Sequence, residues 1–429
     1  MGSTTHRDEY DVCIVGAGAA GLTAAIFAAT CGGNPRRKRP RIVLLEGAPR
    51  VGAKILVSGG GRCNVTHREV SERDYWGGPR TIIRNVLRSF PVEQTLRWMH
   101  ELGVELVLEP TGKYFPKSGQ AREVLEALLR RMATLGVELR TNWRVQRIER
   151  RADGWFVVQR RGDASEIYAQ RLILATGGMA LPKSGSDGAG YEWARAFGHT
   201  IHKPLPALVP LVLERGAEVG GRFEEFSGLS ADARLVLRDD SGKALAETQG
   251  PVLFTHFGIS GPATLDLSRH VVAYRDRTGT RVALVELGHR DLPTLESAIA
   301  MLQAAARESP KRSLGHVLAG LYPERFARAL AGELGPRVVS QLTREERRHV
   351  AQLLTALPLR VIGDRGFSFA ETTAGGVDLR EIDWRTMESR MVPGLHFCGE
   401  ILDVDGRIGG FNFQWAWASG FLAGRGAVA

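Results

Sequence analysis

The feature that most constrains this chain is a glycine-rich turn between an apolar strand and an alanine-rich helix near its start. Tyr10 to Val15 has the pattern of a buried strand, and Ala19 to Ala29 that of a helix. Between them lie three glycines in the spacing G-x-G-x-x-G, and Arg41 to Leu45 follows as a second apolar strand. This strand–helix–strand unit predicts parallel strands with a right-handed crossover, the start of a Rossmann-type α/β sheet.

Each glycine of the turn has a physical role in binding a dinucleotide. Gly16 allows the tight turn, Gly18 lets the backbone approach a pyrophosphate, and Gly21 lets the helix pack against the strand. The pyrophosphate would then meet free N–H groups at the positive end of the helix. The predicted cradle consists of Gly16, Gly18, Ala19, Ala20 and Gly21.

An acidic residue, Glu46, closes the second strand. Its carboxylate is placed to accept hydrogen bonds from adenosine ribose hydroxyls and would repel a ribose 2′-phosphate. The pattern therefore favours FAD or NAD over NADP. The alternative is an ordinary charge at the end of a strand.

A second glycine-rich segment follows shortly after Glu46. It begins near Lys54 and continues through Ser58, Gly59, Gly60, Gly61, Arg62, Cys63 and Asn64. Three consecutive glycines are incompatible with a regular helix or strand, and they expose successive N–H groups that form a nest for oxygen atoms. We predict a loop that wraps a pyrophosphate and the edge of a flavin; the alternative is a mobile surface loop.

The last part of the chain has the pattern of a cap over a flavin. A short strand ends at Gly399 and Glu400, Asp403 follows, and Gly409, Gly410, Phe411 and Asn412 precede an Ala/Trp-rich helix. We expect Asp403, or else Glu400, to bind a ribityl hydroxyl, and the helix N-terminus to face the pyrimidine edge of the ring. Asp405 is interpreted as a solvated turn carboxylate, and Trp415 and Trp417 as core residues.

Changes between strand-like and helix-like sequence patterns along the chain predict its domains. Residues 1–204 and 359–429 are expected to form a discontinuous Rossmann-type domain, residues 205–291 a β-rich insertion, and residues 292–358 a small helical domain. The total of 429 residues is consistent with more than one hydrophobic core.

Taken together, these motifs resemble the HI0933-like flavoproteins, also described as the bacterial aminoacetone-oxidase-like or BaiN-like FAD-binding family. The resemblance covers nearly the whole chain. It implies a Rossmann-type FAD domain, a β-barrel-like insertion and a small helical domain. It also implies that Lys54, Ser58 to Asn64, Thr176, Gly177, Asp403 and Gly409 to Asn412 surround FAD. We assign Val145 and Ala175 to the same site.

The expected function is that of an FAD-dependent oxidoreductase acting on a small organic substrate by hydride transfer to or from the flavin. No second G-x-G-x-x-G and no redox C-x-x-C occurs in the sequence. NAD(P)H is therefore expected to dock only transiently, if it is the electron donor. The net charge of +10 leaves an RNA-binding or RNA-modifying flavoprotein as the alternative. No catalytic acid or base is assigned: His256 could supply a proton or be structural, and Cys63 could be reactive.

The remaining features bear on location. Four cysteines without metal-like spacing, a polar start and no long apolar stretch predict a cytoplasmic protein that does not associate with membranes. A dense basic run, Arg36 to Arg41, is interpreted as a solvated loop of unassigned role.

Overall fold

The computed structural model describes residues 8–31 and 39–429, so Arg36, Arg37 and Lys38 of the basic run lie outside the described residues. The strands, in chain order, are β1 Glu9–Val15, β2 Ile42–Leu45, β3 Thr66–His67, β4 Tyr75–Gly77, β5 Leu106–Leu108, β6 Lys113–Pro116, β7 Glu138–Arg140, β8 Val145–Arg150, β9 Phe156–Arg160, β10 Glu166–Leu174, β11 Ile201–Ala207, β12 Leu211–Leu213, β13 Ser230–Arg238, β14 Ala244–Thr255, β15 Gly258–Ser260, β16 Ala283–His289, β17 Leu357–Asp364, β18 Thr372–Val377, β19 Ile382–Asp383, β20 Glu388–Ser389, β21 Leu395–Phe397 and β22 Val404–Gly406.

The helices are α1 Ala19–Cys31, α2 Ala53–Gly61, α3 Arg80–Ser89, α4 Val92–Glu101, α5 Ala121–Thr134, α6 Ala189–Ala196, α7 Pro262–Thr278, α8 Leu295–Glu308, α9 Leu314–Leu318, α10 Glu324–Ala331, α11 Arg344–Ala356 and α12 Phe411–Gly426. None of the described helices is both long and apolar enough to cross a membrane.

Contacts within the chain define two compact units, residues 1–204 with 372–429, and residues 205–371. The first unit is built on a sheet in the order β19-β20-β21-β10-β1-β2-β7, with β9 and β8 extending from β10. β1 runs parallel to both β2 and β10, as the strand–helix–strand pattern predicted. β2 is buried along its whole length, as expected of a parallel strand covered on both faces. The fold is therefore the predicted Rossmann-type α/β fold.

The sequence from Thr81 to Gly103 predicts one helix, but the structure divides this segment into α3 and α4. Phe90 and Pro91 separate the two. Proline lacks a backbone N–H and disfavours helical geometry in the residue before it, so the first helix ends there. The helical spacing of apolar residues continues across the break, so this spacing does not predict where the first helix ends.

The second unit contains a closed barrel in the order β12-β15-β14-β13-β16-β17. The helices α8 to α11 lie between β16 and β17 in the chain, and their buried residues share one hydrophobic cluster with the barrel strands. Contacts thus place the segment 292–358 in the same unit as the barrel, and the first unit resumes at residue 372 instead of 359.

Candidate active site

The first glycine turn has two crowded positions and one open one. A Cβ added at Gly21 would lie 1.9 Å from the carbonyl oxygen of Gly16, and one added at Gly16 would lie 2.4 Å from that of Ala175. A Cβ at Gly18 would meet no atom within 4 Å. Gly16 and Gly21 are therefore required by packing, whereas Gly18 borders free space at the start of α1. Such a gap is what a pyrophosphate would occupy.

Glu46 lies directly after β2 and has both carboxylate oxygens oriented by backbone donors. Oε2 accepts from the Ala17 N–H at 3.1 Å, and Oε1 accepts from the Ala48 N–H at 3.0 Å. Each oxygen retains capacity for a further hydrogen bond. The carboxylate is thus fixed beside the glycine turn, with acceptor sites left for hydroxyl donors.

Residues that sequence reasoning missed lie next to Glu46. A Cβ at Gly185 would be 3.7 Å from Oε1 of Glu46, so the segment after β10 returns to this point. The neighbouring Asp187 forms an ion pair with Arg144, which immediately precedes Val145. Only the tertiary fold joins these segments, and no sequence pattern links Arg144 to Asp187.

Thr176 and Gly177 follow the end of β10, at the same edge of the sheet as the glycine turn. The Thr176 hydroxyl is buried and has no hydrogen-bond partner among the described residues. Gly177 has a φ of 72°, and a Cβ there would be 2.5 Å from the Ser186 hydroxyl. Buried hydroxyls are normally hydrogen-bonded, so an unpaired one at this edge fits a site built for a polar ligand.

The second glycine-rich segment is helical at first and then turns left-handed. Ala53 to Val57 form the regular part of α2, which differs from the predicted loop. Gly59 and Gly60 have φ values of 57° and 69°, and a Cβ at Gly60 would meet nothing within 4 Å. Backbone in this conformation can present successive N–H groups to an oxygen atom, and the nest at Gly59 to Gly61 stays a prediction.

The Arg62 side chain already has partners within the protein. Its guanidinium pairs with Glu109 at 2.6 Å and stands 4.0 Å from the Phe115 ring centroid. Its backbone N–H donates to the Ser58 carbonyl, and the role of Arg62 at the cofactor stays a prediction.

Cys63 is fully buried, and burial raises the pKa of its thiol to about 12. A thiolate is the reactive form, so this burial disfavours a reactive Cys63, the alternative that the sequence left open. The hydrogen bond with Ser58 lowers this pKa, but the loss of solvation outweighs it.

We expect a Cys31→Ser variant to be unreactive towards a thiol reagent at pH 8 in the native state. The other three cysteines, Cys13, Cys63 and Cys398, are buried and unpaired, and burial raises the pKa of each. The measurement is the release of chromophore from a disulfide reagent, with the same protein in denaturant as the control that exposes all three thiols. Rapid native labelling of one thiol, mapped to Cys63, would contradict this assignment.

A hydrogen-bond network joins four segments at this edge of the first unit. The Lys54 ammonium donates to Oε2 of Glu400 at 2.6 Å. Oε1 of Glu400 accepts from the backbone N–H and the hydroxyl of Thr373, at 3.0 and 2.9 Å. The Thr373 hydroxyl accepts in turn from the N–H groups of Met179 and Ala180. The Glu400 carboxylate is thus occupied by protein donors, which favours Asp403 for a ribityl contact.

Asp403 is buried and held by its backbone between two strands. Its N–H donates to the Val377 carbonyl, and its own carbonyl accepts from the Gly78 N–H. Oδ2 of Asp403 lies 3.8 Å from Nε2 of His202.

Asp405 is also buried, so its interpretation as a solvated turn carboxylate is wrong. It lies in β22, and the pairing of β22 with β4 places it in the interior.

α12 begins beside these residues. Gly410 precedes the helix with a φ of 95°, and the side chain of Asn412 exchanges two hydrogen bonds with the backbone of Gly406. With its amide oriented to satisfy both neighbours, Asn64 accepts from the Gly410 N–H and donates to the Thr66 carbonyl. The two glycine-rich ends of the sequence, far apart in the chain, therefore meet at the start of α12.

The tryptophans of α12 are core residues, as predicted. Trp415 donates to the carbonyl of Gly399 and Trp417 to that of Val65, and both are buried.

His256 belongs to the second unit, where it is exposed at the turn between β14 and β15. Its ring centroid lies 5.1 Å from that of Phe257.

Comparison with known proteins identifies the family. A family described as the HI0933-like protein Rossmann domain matches residues 10–426. The 3-dehydro-bile acid delta(4,6)-reductase of Clostridium scindens is 33% identical, over 97% of this chain and 98% of that protein. The ribosomal RNA dihydrouridine synthase of Escherichia coli is 30% identical, over 98% of this chain and 99% of that protein.

A solved structure shares the fold at much lower identity. The 3-ketosteroid-delta4-(5alpha)-dehydrogenase of Rhodococcus jostii aligns with a TM-score of 0.50 and 14% identity, covering 98% of both chains. Fold, site and relatives define an FAD-dependent oxidoreductase. The chain belongs to the HI0933-like family.

Proposed function

We propose that this enzyme reduces a carbon–carbon double bond conjugated to a carbonyl group in a small organic substrate. The observation that supports this most is the likeness, over almost the full chain, to a 3-dehydro-bile acid delta(4,6)-reductase. A double bond at position 4 of a 3-oxo steroid is conjugated to the carbonyl. Formation of dihydrouridine, the reaction named for two other relatives, saturates a double bond that is likewise conjugated to a carbonyl. The reactions of these relatives therefore share the type of bond that is reduced, and they differ in the molecule that contains it.

In this proposal, residues of the first unit hold FAD. The first glycine turn and the nest at Gly59 to Gly61 hold the pyrophosphate, Glu46 the adenosine ribose, and Asp403 a ribityl hydroxyl. Bound FAD, once reduced by two electrons, would supply the hydride, and the proton that completes the reduction would come from solvent. The remaining cofactor contacts are assigned to Ala19, Ala20, Lys54, Ser58, Arg62, Cys63, Asn64, Val145, Ala175, Thr176, Gly177, Gly399, Glu400, Gly409, Gly410, Phe411 and Asn412.

The electrons that reduce the flavin must come from a donor outside the chain. We infer that this donor is NAD(P)H and that it binds transiently. The single G-x-G-x-x-G pattern supports this because it leaves no second dinucleotide cradle of that type. A reducing compartment such as the cytoplasm is supported by the buried free thiols of Cys13, Cys63 and Cys398.

RNA is the second candidate substrate. Two relatives named as ribosomal RNA dihydrouridine synthases favour it, as does a cluster in the second unit where Arg365 lies 4.4 Å from the ring centroid of Phe257 and 3.9 Å from that of the exposed Phe369. Arginine on aromatic rings is suited to stacking on bases. Against it, many arginines of this unit are paired with carboxylates, among them Arg215, Arg234, Arg238, Arg337 and Arg360.

The test starts from an absorbance spectrum, which should show flavin bands near ~375 and ~450 nm. The anaerobically reduced protein is then mixed with a 3-oxo-Δ4 steroid, with its saturated ketone as control, and with a ribosomal RNA transcript. We expect the 450 nm band to return with the enone and not with the saturated ketone. Return with RNA alone would favour the second candidate. A protein that binds no added FAD would contradict the cofactor assignment, and flavin that neither compound reoxidises would contradict the proposed reaction.

A further inference from the structure

Two basic residues of the paired strands β3 and β6, His67 and Lys113, lie beside the first turn of α12. His67 and Lys113 are directly opposite each other in the antiparallel pairing, so their side chains leave the sheet on the same face. The His67 ring stacks on Phe411 with centroids 5.0 Å apart. The Lys113 side chain lies alongside Gly409, where its Cε would be 3.3 Å from an added Cβ.

Lys113 differs from the other cations of this region in having no carboxylate partner in the described part of the chain. Lys54 is paired with Glu400, Arg62 with Glu109, and Lys117 with Glu105. The His67 ring contacts the backbone carbonyls of Glu69 and Thr111 as well as the Phe411 ring. Lys113, a residue of intermediate burial, therefore forms no ion pair with a carboxylate within residues 8–31 and 39–429.

The location of Lys113 beside the N-terminus of α12 is electrostatically unfavourable when no anion is bound there. α12 is a 16-residue helix, and the N–H groups of Phe411, Asn412 and Phe413 find no acceptor among the described residues. The N-terminus of a helix has positive electrostatic potential and favours anions, not cations. A lysine beside Gly409, without a carboxylate partner in the described residues, therefore leaves this end of the helix suited to a negatively charged ligand.

We propose that Lys113 and the start of α12 together stabilise the edge of the isoalloxazine ring that gains negative charge when FAD is reduced. The inference rests on the proposed placement of FAD against α12. Lys113 would raise the reduction potential of the bound flavin, because its cation favours the more negative, reduced form. Sequence reasoning assigned Lys113 no role, since only the β3–β6 pairing brings it to α12.

The test compares flavin-loaded wild-type protein with Lys113→Met, Lys113→Arg and the matched control Lys117→Met, which removes an exposed lysine of the same segment. We expect the two-electron potential of Lys113→Met to fall by at least about 30 mV, equivalent to a tenfold change in the equilibrium. Its affinity for sulfite, which adds to electron-poor flavin, should fall about tenfold as well. Lys113→Arg should keep most of the wild-type potential, and Lys117→Met all of it.

The proposal would be overturned by a flavin-loaded Lys113→Met protein whose potential and sulfite affinity equal those of the wild type. An equal fall in Lys117→Met would overturn it too, because the effect would then be one of net charge. Failure of the FAD placement itself is distinguishable, since it would show as wild-type protein without flavin absorbance. If Lys113→Met retains no flavin, Lys113→Gln and Lys113→Arg decide the question, and equal potentials for these two count against Lys113.

Discussion

Replacement of Gly18 by alanine is expected to weaken FAD binding by about 10- to 100-fold and to leave the melting temperature of the apoprotein unchanged. A Cβ at Gly18 meets no protein atom within 4 Å, so the folded chain accommodates it. The methyl group would hold the pyrophosphate away from the backbone and weaken one charge-assisted hydrogen bond, which is worth about 1.5–3 kcal/mol. Thermal melting of the apoprotein and titration with FAD measure the two effects separately.

Gly21→Ala is the matched control on the same turn. Its Cβ would lie 1.9 Å from the carbonyl oxygen of Gly16, so α1 and β1 must separate. We expect this variant to lower the melting temperature of the apoprotein as well as the FAD affinity. If Gly18→Ala bound FAD as tightly as the wild type, the open space at Gly18 would not be the pyrophosphate site.

Removal of the Glu400 carboxylate, in Glu400→Ala, is expected to destabilise the protein by about 2–4 kcal/mol. Three donors lose their acceptor at once: the Lys54 ammonium and the N–H and hydroxyl of Thr373. Glu400 and Lys54 are only 19% and 24% exposed, so water replaces these bonds incompletely. Urea unfolding of the apoprotein measures the change, because it separates stability from cofactor binding.

A double-mutant cycle with Lys54→Met and Glu400→Gln isolates the ion pair from the Thr373 bonds. Glu105→Ala, which breaks the exposed pair with Lys117, is the control and should leave stability unchanged. A Glu400→Ala protein as stable as that control would show that the network does not hold the four segments together.

The sequence was informative where function depends on residues close together in the chain. The glycine spacing from Gly16 to Gly21 predicted β1, α1 and the parallel pairing with β2, because each glycine meets a local steric demand of the turn. The run of glycines from Gly59 likewise predicted irregular backbone, and Gly59 and Gly60 adopt the left-handed conformation that few other residues adopt. Periodicity failed at Pro91, where the apolar pattern continues although the helix ends.

The chain by itself indicated the Rossmann-type fold, the β-rich insertion and a dinucleotide site, since apolar spacing and glycine conformation are local properties, and the resemblance of its motifs to the HI0933-like family implied the barrel and FAD. Only the tertiary structure decided how side chains distant in sequence are used. It buried Asp405 and Cys63, engaged Glu400 with Lys54 and Thr373, and brought Lys113 to the start of α12. The reason is physical: the charge state and hydrogen bonding of a side chain depend on which segments pack around it.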